Sequence, residues 1–169
     1  MSTSSKCPLN LRDVRLSDAA DITAIYNHYI RLTDISFETE ELTVAEMERR
    51  ISDISASFPY IVAEVDDMVV AYCYAHLWKE RAAYGSTLET TVYVAPDRQR
   101  QRLGERLMLR LIDDCRLRGY HALIACITGG NEASILLHEK LGFRRASCFR
   151  EVGRKLGRLI DVVDYELIL

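Results

Sequence analysis

Glu89 is the only carboxylate in the run "TLETTVYV", residues 87–94, whose other side chains are apolar or hydroxylic. A carboxylate there has two readings. Partial burial raises its pKa toward neutrality, which suits a general base that takes a proton from an ammonium group, directly or through a water. Otherwise it is a strand-end glutamate in solvent. Just downstream, three arginines fall within five residues (Arg98, Arg100, Arg102), and Gly104 follows at the start of a helical pattern. A helix N-terminus carries unpaired N–H groups and the positive end of the macrodipole. A tight strand-to-helix loop that presents them makes an anion site, best suited to a pyrophosphate. Gly104 would let backbone and ligand come close, and Arg100 and Arg102 would add charge at the rim. Arginines that are simply solvated beside a helix start are the equally open alternative. The patterns G-x-x-x-x-G-K-[ST] and G-x-G-x-x-G are both absent, which excludes a P-loop and the dinucleotide fingerprint. Further along, His138 in "EASILLHEKLGF" could donate a proton or serve as a structural histidine. Asn131, just before that run, fits a helix cap, and Lys140 fits a surface lysine.

These residues need elements to hold them. "LRDVRL" (11–16) alternates as a first strand. Ser17 is the expected cap of the helix "DAADITAIYNHYIRLT". Thr43 and Glu46 fit a capping box opening a second helix to about Ser55. "YIVAEV" and "MVVAYCYAHL" flank Asp66-Asp67 as a hairpin. "TLETTVYV" is the next strand. In it Glu89, Thr91 and Tyr93 share one face, and Thr90, Val92 and Val94 the other. In "GERLMLRLIDDCRLRG" Leu103, Leu107, Leu111 and Cys115 recur every four residues, and Gly119 closes the helix. "HALIACIT" reads as a strand buried on both faces. "EASILLHEKLGF" is a short helix closed by Gly142, and the tail gives two strands joined by a turn around 153–157. The order β-α-α-β-β-β-α-β-α-β-β predicts an α/β domain. Its sheet is mixed and largely antiparallel, with one central parallel pair from the strand–helix–strand unit 87–127.

The chain has 169 residues, 49% hydrophobic and 28% charged, which fits one soluble domain over 11–169 behind a short N-terminal extension, 1–10. The net charge of −3 argues against a nucleic-acid partner. The distribution is uneven. From Asp34 to Asp67 there are ten acids against two bases, whereas from Arg98 to Arg118 there are seven arginines against three acids. The positive field thus falls on the strand-to-helix junction. Five widely spaced cysteines without a C-x-x-C pair signal neither a zinc site nor a disulfide framework. Cys73, Cys126 and Cys148 read as small core residues. No His, Asp and Glu cluster has metal-ligand spacing. The opening "MSTSSKCPLN" has no apolar segment and no run approaches membrane-spanning length, so a cytoplasmic protein without a membrane partner is expected.

"VYVAPDRQRQRLGERL" resembles the acyl-CoA-binding motif of the GNAT N-acetyltransferase superfamily, [QR]-x-x-G-x-[GA] after a strand. Gln99 to Gly104 fits it, with Arg102 where the first glycine is usual. "IYNHYI", "FPYIVAEV", "LWKERAAY", "LETTVYV", "NEASILLHEKLGF" and "VGRKLGRLIDVVDYEL" resemble, in order, the phosphinothricin acetyltransferase branch, so the resemblance spans about 11–169. It implies a GNAT-type sheet whose central parallel strands splay apart, acetyl-CoA as co-substrate, no metal, and Glu89 as catalytic base. It implies that the unpaired amides of Val92 and Val94, with Tyr93 between them, bind the pantetheine arm. Arg100, Gln101, Arg102, Leu103, Gly104 and Glu105 would hold the pyrophosphate, Asn131 the pantetheine chain, and Lys140 the cofactor's phosphates. His138 stands where many members have a tyrosine that protonates the departing thiolate. Phe37, Trp78, Lys79, Arg81 and Arg158, with Asp161 nearby, would form an aromatic wall with cationic anchors for an amino-acid analogue. Leu159 stands where the branch often has tryptophan. A homodimer is expected from the resemblance alone.

The leading expectation is acetylation of the primary amine of a small molecule such as phosphinothricin or methionine sulfoximine or sulfone. The alternatives are an acetyltransferase for a protein N-terminus or an aminoglycoside-like amine, for which the acidic segment 34–67 is suited, and a non-catalytic acyl-CoA-binding module.

Overall fold

The computed structural model describes residues 9–169, so Cys7 and most of the expected extension 1–10 lie outside the described residues. The elements run β1 (Asn10–Asp13), α1 (Ala19–Leu32), α2 (Val44–Ser55), β2 (Tyr60–Val65), β3 (Met68–Leu77), β4 (Thr87–Val94), α3 (Leu103–Leu117), β5 (Ala122–Thr128), α4 (Glu132–Lys140), β6 (Arg144–Lys155) and β7 (Arg158–Ile168). This is the expected order. The seven strands form one sheet, β1-β2-β3-β4-β5-β7-β6, antiparallel throughout except for the central β4–β5 pair.

Local chemistry accounts for the boundaries. Asp66 (φ 53°) and Asp67 (φ 62°) are both left-handed, the twist a two-residue hairpin needs, and aspartate tolerates it. Thr43 Oγ1 accepts from Glu46 N–H at 3.2 Å while Glu46 accepts from Thr43 N–H at 2.8 Å, which is the expected capping box. The cap expected at Ser17 is instead Asp18, behind a short 3-10 turn. Asp18 is claimed by charge: Arg12 grips it with two hydrogen bonds, 2.8 and 2.9 Å, and Arg15 N–H donates to it at 2.7 Å. The last hairpin turns at Leu156-Gly157, both at positive φ, so β6 runs on through Gly153 into what reads in the sequence as turn.

Strand parity sorts the core into two layers. On one side Leu107, Met108, Leu111 and Cys115 of α3, all fully buried, pack on Ile61, Ala71, Cys73, Leu88 and Leu123. On the other, Ile22, Ile25 and Tyr29 of α1 and Met47 and Ile51 of α2 pack on Tyr60, Val62 and Tyr72. Cys73 is buried as expected, but Cys126 and Cys148 are exposed. Cys148 lies on edge strand β6. Cys126 is uncovered because β4 and β5 separate beside it.

That separation is the central feature. The strands pair only at Thr87↔Ala122, Leu88↔Leu123 and Glu89↔Ile124. Beyond Glu89, β4 stays on β3 as far as Val94, while β5 stays on β7 as far as Thr128. The sheet opens into a V with Glu89 at its apex.

Candidate active site

A cleft of about 540 Å³ occupies the V and draws its lining from both faces of the sheet. From the α3–α4 side come Thr90, Val92, Asn131, Ser134 and His138; from the α1–α2 side come Tyr26, Phe37, Glu38, His76, Glu89 and Tyr93. A cleft that passes between two strands can take a long ligand from one face and a second reactant from the other, with Glu89 at the meeting point.

Glu89 is only partly exposed. Burial pushes its carboxyl above the usual range; His76 and Cys126 pull it down less strongly, and Asp164 pushes it up. A carboxylate so placed is more basic than one in solvent.

Backbone direction supplies donors. Ala95 N–H donates to Val70 O at 2.8 Å, toward β3. Alternation along the strand then aims the amides of Val92 and Val94 away from β3, into the gap that β5 has left. The side chain of Tyr93 points to the other face, where it packs on Tyr26 and Tyr29 at 5.2 and 5.0 Å between ring centroids. Tyr29 ties the strand end down, donating to Val94 O at 2.6 Å and accepting from Gln99 at 3.2 Å.

The loop after β4 ends with Arg102 in the left-handed region (φ 59°) as the cap of α3, and Arg100 is left-handed too (φ 62°). Leu103 is buried and anchors the first turn. Gln101, Arg100 and Arg102 are exposed. A Cβ on Gly104 would sit 3.3 Å from Leu137 and within 4 Å of Val92 and Val94. Its bareness therefore serves the approach of α3 to α4 and β4. Much of the arginine charge on α3 is paired locally, Arg110 with Asp114 at 2.9 Å and Arg116 with Asp113 at 3.0 Å. Arg100, Arg102 and Arg106 have no ion pair among the described residues, so the uncompensated charge gathers at the helix N-terminus. Lys140 Nζ reaches Glu105 at 2.7 Å, which bridges α4 to that turn.

His138 is 3% exposed, edge-on to Phe143. Its Nδ1 lies 2.8 Å from Ser134 O. A carbonyl can only accept, so Nδ1 carries the proton and Nε2 keeps its lone pair. Burial lowers the ring's pKa more than the Ser134 contact raises it, so the neutral form prevails at pH 7. His138 at rest is an acceptor, and it becomes a donor only after gaining a proton at Nε2. Asn131 caps α4 by accepting from Ser134 N–H at 3.2 Å.

On the acceptor side, Phe37 lies against Gly153 of β6, where a Cβ would come within 2.4 Å of the ring. Glu38 is bound by Arg50 at 2.6 and 3.1 Å and by the Tyr26 hydroxyl at 2.9 Å. Burial works to raise its pKa, but these partners outweigh it and hold the carboxyl below the usual range. Trp78, Lys79 and Arg81 do not line the cleft. Lys79 sits over the Trp78 ring, 3.9 Å from its centroid. Arg158 is outside too and pairs with Asp34; with Asp161 it borders a separate depression.

Four cleft neighbours escape a reading of the sequence. Thr128 lines the cleft, and its buried hydroxyl has no hydrogen-bond partner. His76 stands opposite Glu89 on β3, Cys126 lines the cleft with it, and Asp164 stands opposite Cys126 on β7. Period-two parity gives each its face, but only the strand order puts them beside the glutamate.

An amide-lined gap, an orphan hydroxyl and a cationic helix start fit a phosphate-bearing chain reaching toward a carboxylate. Residues 11–163 match the acetyltransferase (GNAT) domain. The chain belongs to the GNAT acetyltransferases. Within that family it is an N-acetyltransferase of the phosphinothricin acetyltransferase-like branch. It is 41% identical over 161 residues to phosphinothricin N-acetyltransferase of Alcaligenes faecalis, covering 94% of this chain and 82% of that protein. It is 33% identical over 166 residues to the L-methionine sulfoximine/L-methionine sulfone acetyltransferase of Salmonella typhimurium, covering 95% of each. The crystal structure of a phosphinothricin acetyltransferase from Sinorhizobium meliloti in complex with acetyl-CoA matches with a TM-score of 0.92 at 31% identity, over 95% of this chain and 88% of that one.

Proposed function

We propose that the protein transfers the acetyl group of acetyl-CoA to the primary amine of an amino-acid analogue such as phosphinothricin or methionine sulfoximine, by direct attack with Glu89 as general base. The observation that carries this reading is the half-buried carboxylate at the apex of a cleft open to both faces. Acetyl-CoA would enter along the gap. Its diphosphate would meet the first turn of α3 beside Arg100 and Arg102, its pantetheine arm the amides of Val92 and Val94, and its polar groups the Thr128 hydroxyl and Asn131. The amine must lose a proton to attack, and Glu89 takes it. An amide of β4 aimed at the acetyl oxygen stabilises charge as it builds there. The departing sulfur leaves on the side of His138.

The kinetic test is Glu89→Gln, expected to lower kcat roughly 100-fold or more while acetyl-CoA affinity stays within about twofold, because no cofactor contact is lost. Thiol release with a panel of amino acids and amines names the acceptor. Binding of acetyl-CoA without turnover of any amine would instead mark a non-catalytic module. Wild-type kcat in the glutamine variant at neutral pH would remove Glu89 from the mechanism.

A second acceptor, an aminoglycoside-like polyamine, is favoured by one observation: Glu38 and Glu89 line the cleft and, among the described residues, no lysine or arginine does. Preferential turnover of a polycationic amine over phosphinothricin would select it. We further propose a homodimer, supported by edge strand β6 and its turn, where Phe149, Val152 and Leu156 are 50%, 59% and 57% exposed. A cytoplasmic setting fits the free thiols of Cys73, Cys115, Cys126 and Cys148.

A further inference from the structure

We infer that Cys126 and Asp164 are positioning residues for Glu89, the middle of a polar row that crosses five strands on one face of the sheet. The inference rests on the reading of Glu89 as base. The register draws the row. Ser147 on β6 stands opposite Asp164 on β7, and Asp164 opposite Cys126 on β5. Across the gap, Glu89 on β4 stands opposite His76 on β3. The β4–β5 ladder ends at Glu89↔Ile124, and Cys126 is the next residue of β5 on the same face, so its thiol sits where the strands begin to part.

The links are specific. Ser147 Oγ donates to Asp164 Oδ2 at 2.7 Å, which fixes that carboxylate. Cys126 stands between the two carboxylates: it is paired with Asp164 across the β5–β7 ladder and lines the cleft beside Glu89. Although Cys126 is open to the cleft, desolvation between the cleft walls, with these two carboxylates, pushes the thiol well up, so it stays an S–H donor and is neither a thiolate nor a nucleophile. One S–H proton satisfies one carboxylate at a time. When it points at Glu89 it aims the carboxylate and favours its charged form, while the fixed charge of Asp164 favours proton uptake by Glu89. The thiol and the second carboxylate therefore pull in opposite directions. The other groups facing Glu89 are His76 and Tyr74 of β3 and Glu38 of the α1–α2 loop, the last already committed to Arg50 and Tyr26.

The test is the acid limb of the kcat/KM–pH profile, with thermal melts to show that each variant folds. Asp164→Asn removes the repulsion and moves the limb to lower pH. Cys126→Val removes the donor and moves it to higher pH. Each shift is about half a pH unit or more. Cys126→Ser restores a donor and returns the limb toward wild type. Opposed shifts from two neighbours are not what a loss of packing produces. If both variants leave the limb in place, or both move it the same way, the inference is overturned. Glu89→Gln separates the two levels. It abolishes the limb if Glu89 is the base; a limb that persists there overturns the base assignment and the inference with it. A limb that vanishes there while Asp164→Asn and Cys126→Val have no effect overturns the inference alone.

Discussion

Glu89 carries a stability cost that its catalytic reading requires. Burial raises its pKa in the folded chain above the value it has when unfolded. Between those two values the folded state binds more protons than the unfolded state. Stability therefore falls as pH rises through that window, and above it the ionised carboxylate weighs against the fold. Glu89→Gln removes the charge and keeps the shape. We expect its Tm to exceed wild type at pH 7.5, and the gap to close as pH falls toward the ordinary carboxylate range, where wild-type Glu89 is itself protonated. Melts at pH 7.5 and pH 4.5 measure this directly. A gap that is the same at both pH values, or a variant less stable at pH 7.5, contradicts the burial account. The substitution proposed to disable the enzyme should thus stabilise it, as is common where a site holds a strained or desolvated charge.

At the scale of elements, the loop between β4 and α3 shows how a backbone role can survive an unusual side chain. Arg102 stands where the family motif usually has glycine, and it is left-handed all the same. That conformation costs an ordinary residue about 1–2 kcal/mol, partly offset against glycine's larger loss of chain entropy on folding, about 0.5–1 kcal/mol. Arg102→Gly should therefore raise Tm by a few degrees at most, about 2–4 °C per kcal/mol for a chain of this size. Arg102→Ala keeps the Cβ and the strain, so Tm should not rise. Both variants lose the same charge. If the amides do most of the gripping, the two lose acetyl-CoA affinity to a similar, modest extent by calorimetry. A loss of more than about tenfold in both would mean that the guanidinium, at about 1.5–3 kcal/mol per charged hydrogen bond, carries the contact instead. Sequence spacing was enough to find this loop, the capping box at Thr43 and Glu46, the Asp66-Asp67 turn and every α-helix and strand, though not the short 3-10 turns. It was not enough where a partner from far along the chain decides. Arg12 takes Asp18 out of its expected place in α1. The ladder with β7 carries β6 past Gly153. The parting of β4 and β5 exposes Cys126 in a run that reads as fully buried. For the same reason Glu89, His138 and Asn131 could be singled out from motif and spacing, whereas His76, Thr128 and Asp164 could not. Parity gives a face, and only strand order and register give a neighbour.

For the molecule as a whole, the sheet has two unlike edges. β1 is four residues long, too short to invite much pairing. β6 is twelve residues long and almost entirely exposed, with Phe149 and Val152 in solvent. Its register breaks between Phe149 and Gly153, and Glu151 there has a φ of 56°. Such a bulge bends an edge and discourages open-ended pairing, yet it leaves the apolar side chains uncovered. With Leu156 at the turn, they leave an apolar strip along this edge that a second copy could cover. A stable interface buries about 800 Å² on each partner, more than these side chains alone provide, so a dimer must also engage neighbouring polar surface. Phe37 rests on Gly153 of the same bulge, which couples this edge to the rim of the cleft. Phe149→Glu puts a charge in the middle of the strip. In sedimentation experiments we expect wild type at twice the chain mass and the variant at one. We also expect the monomer's KM for the acceptor to rise more than its KM for acetyl-CoA, because the bulge touches Phe37 and not the α3 loop. Wild type sedimenting as a monomer would rule the dimer out. A variant still dimeric would move the interface away from β6.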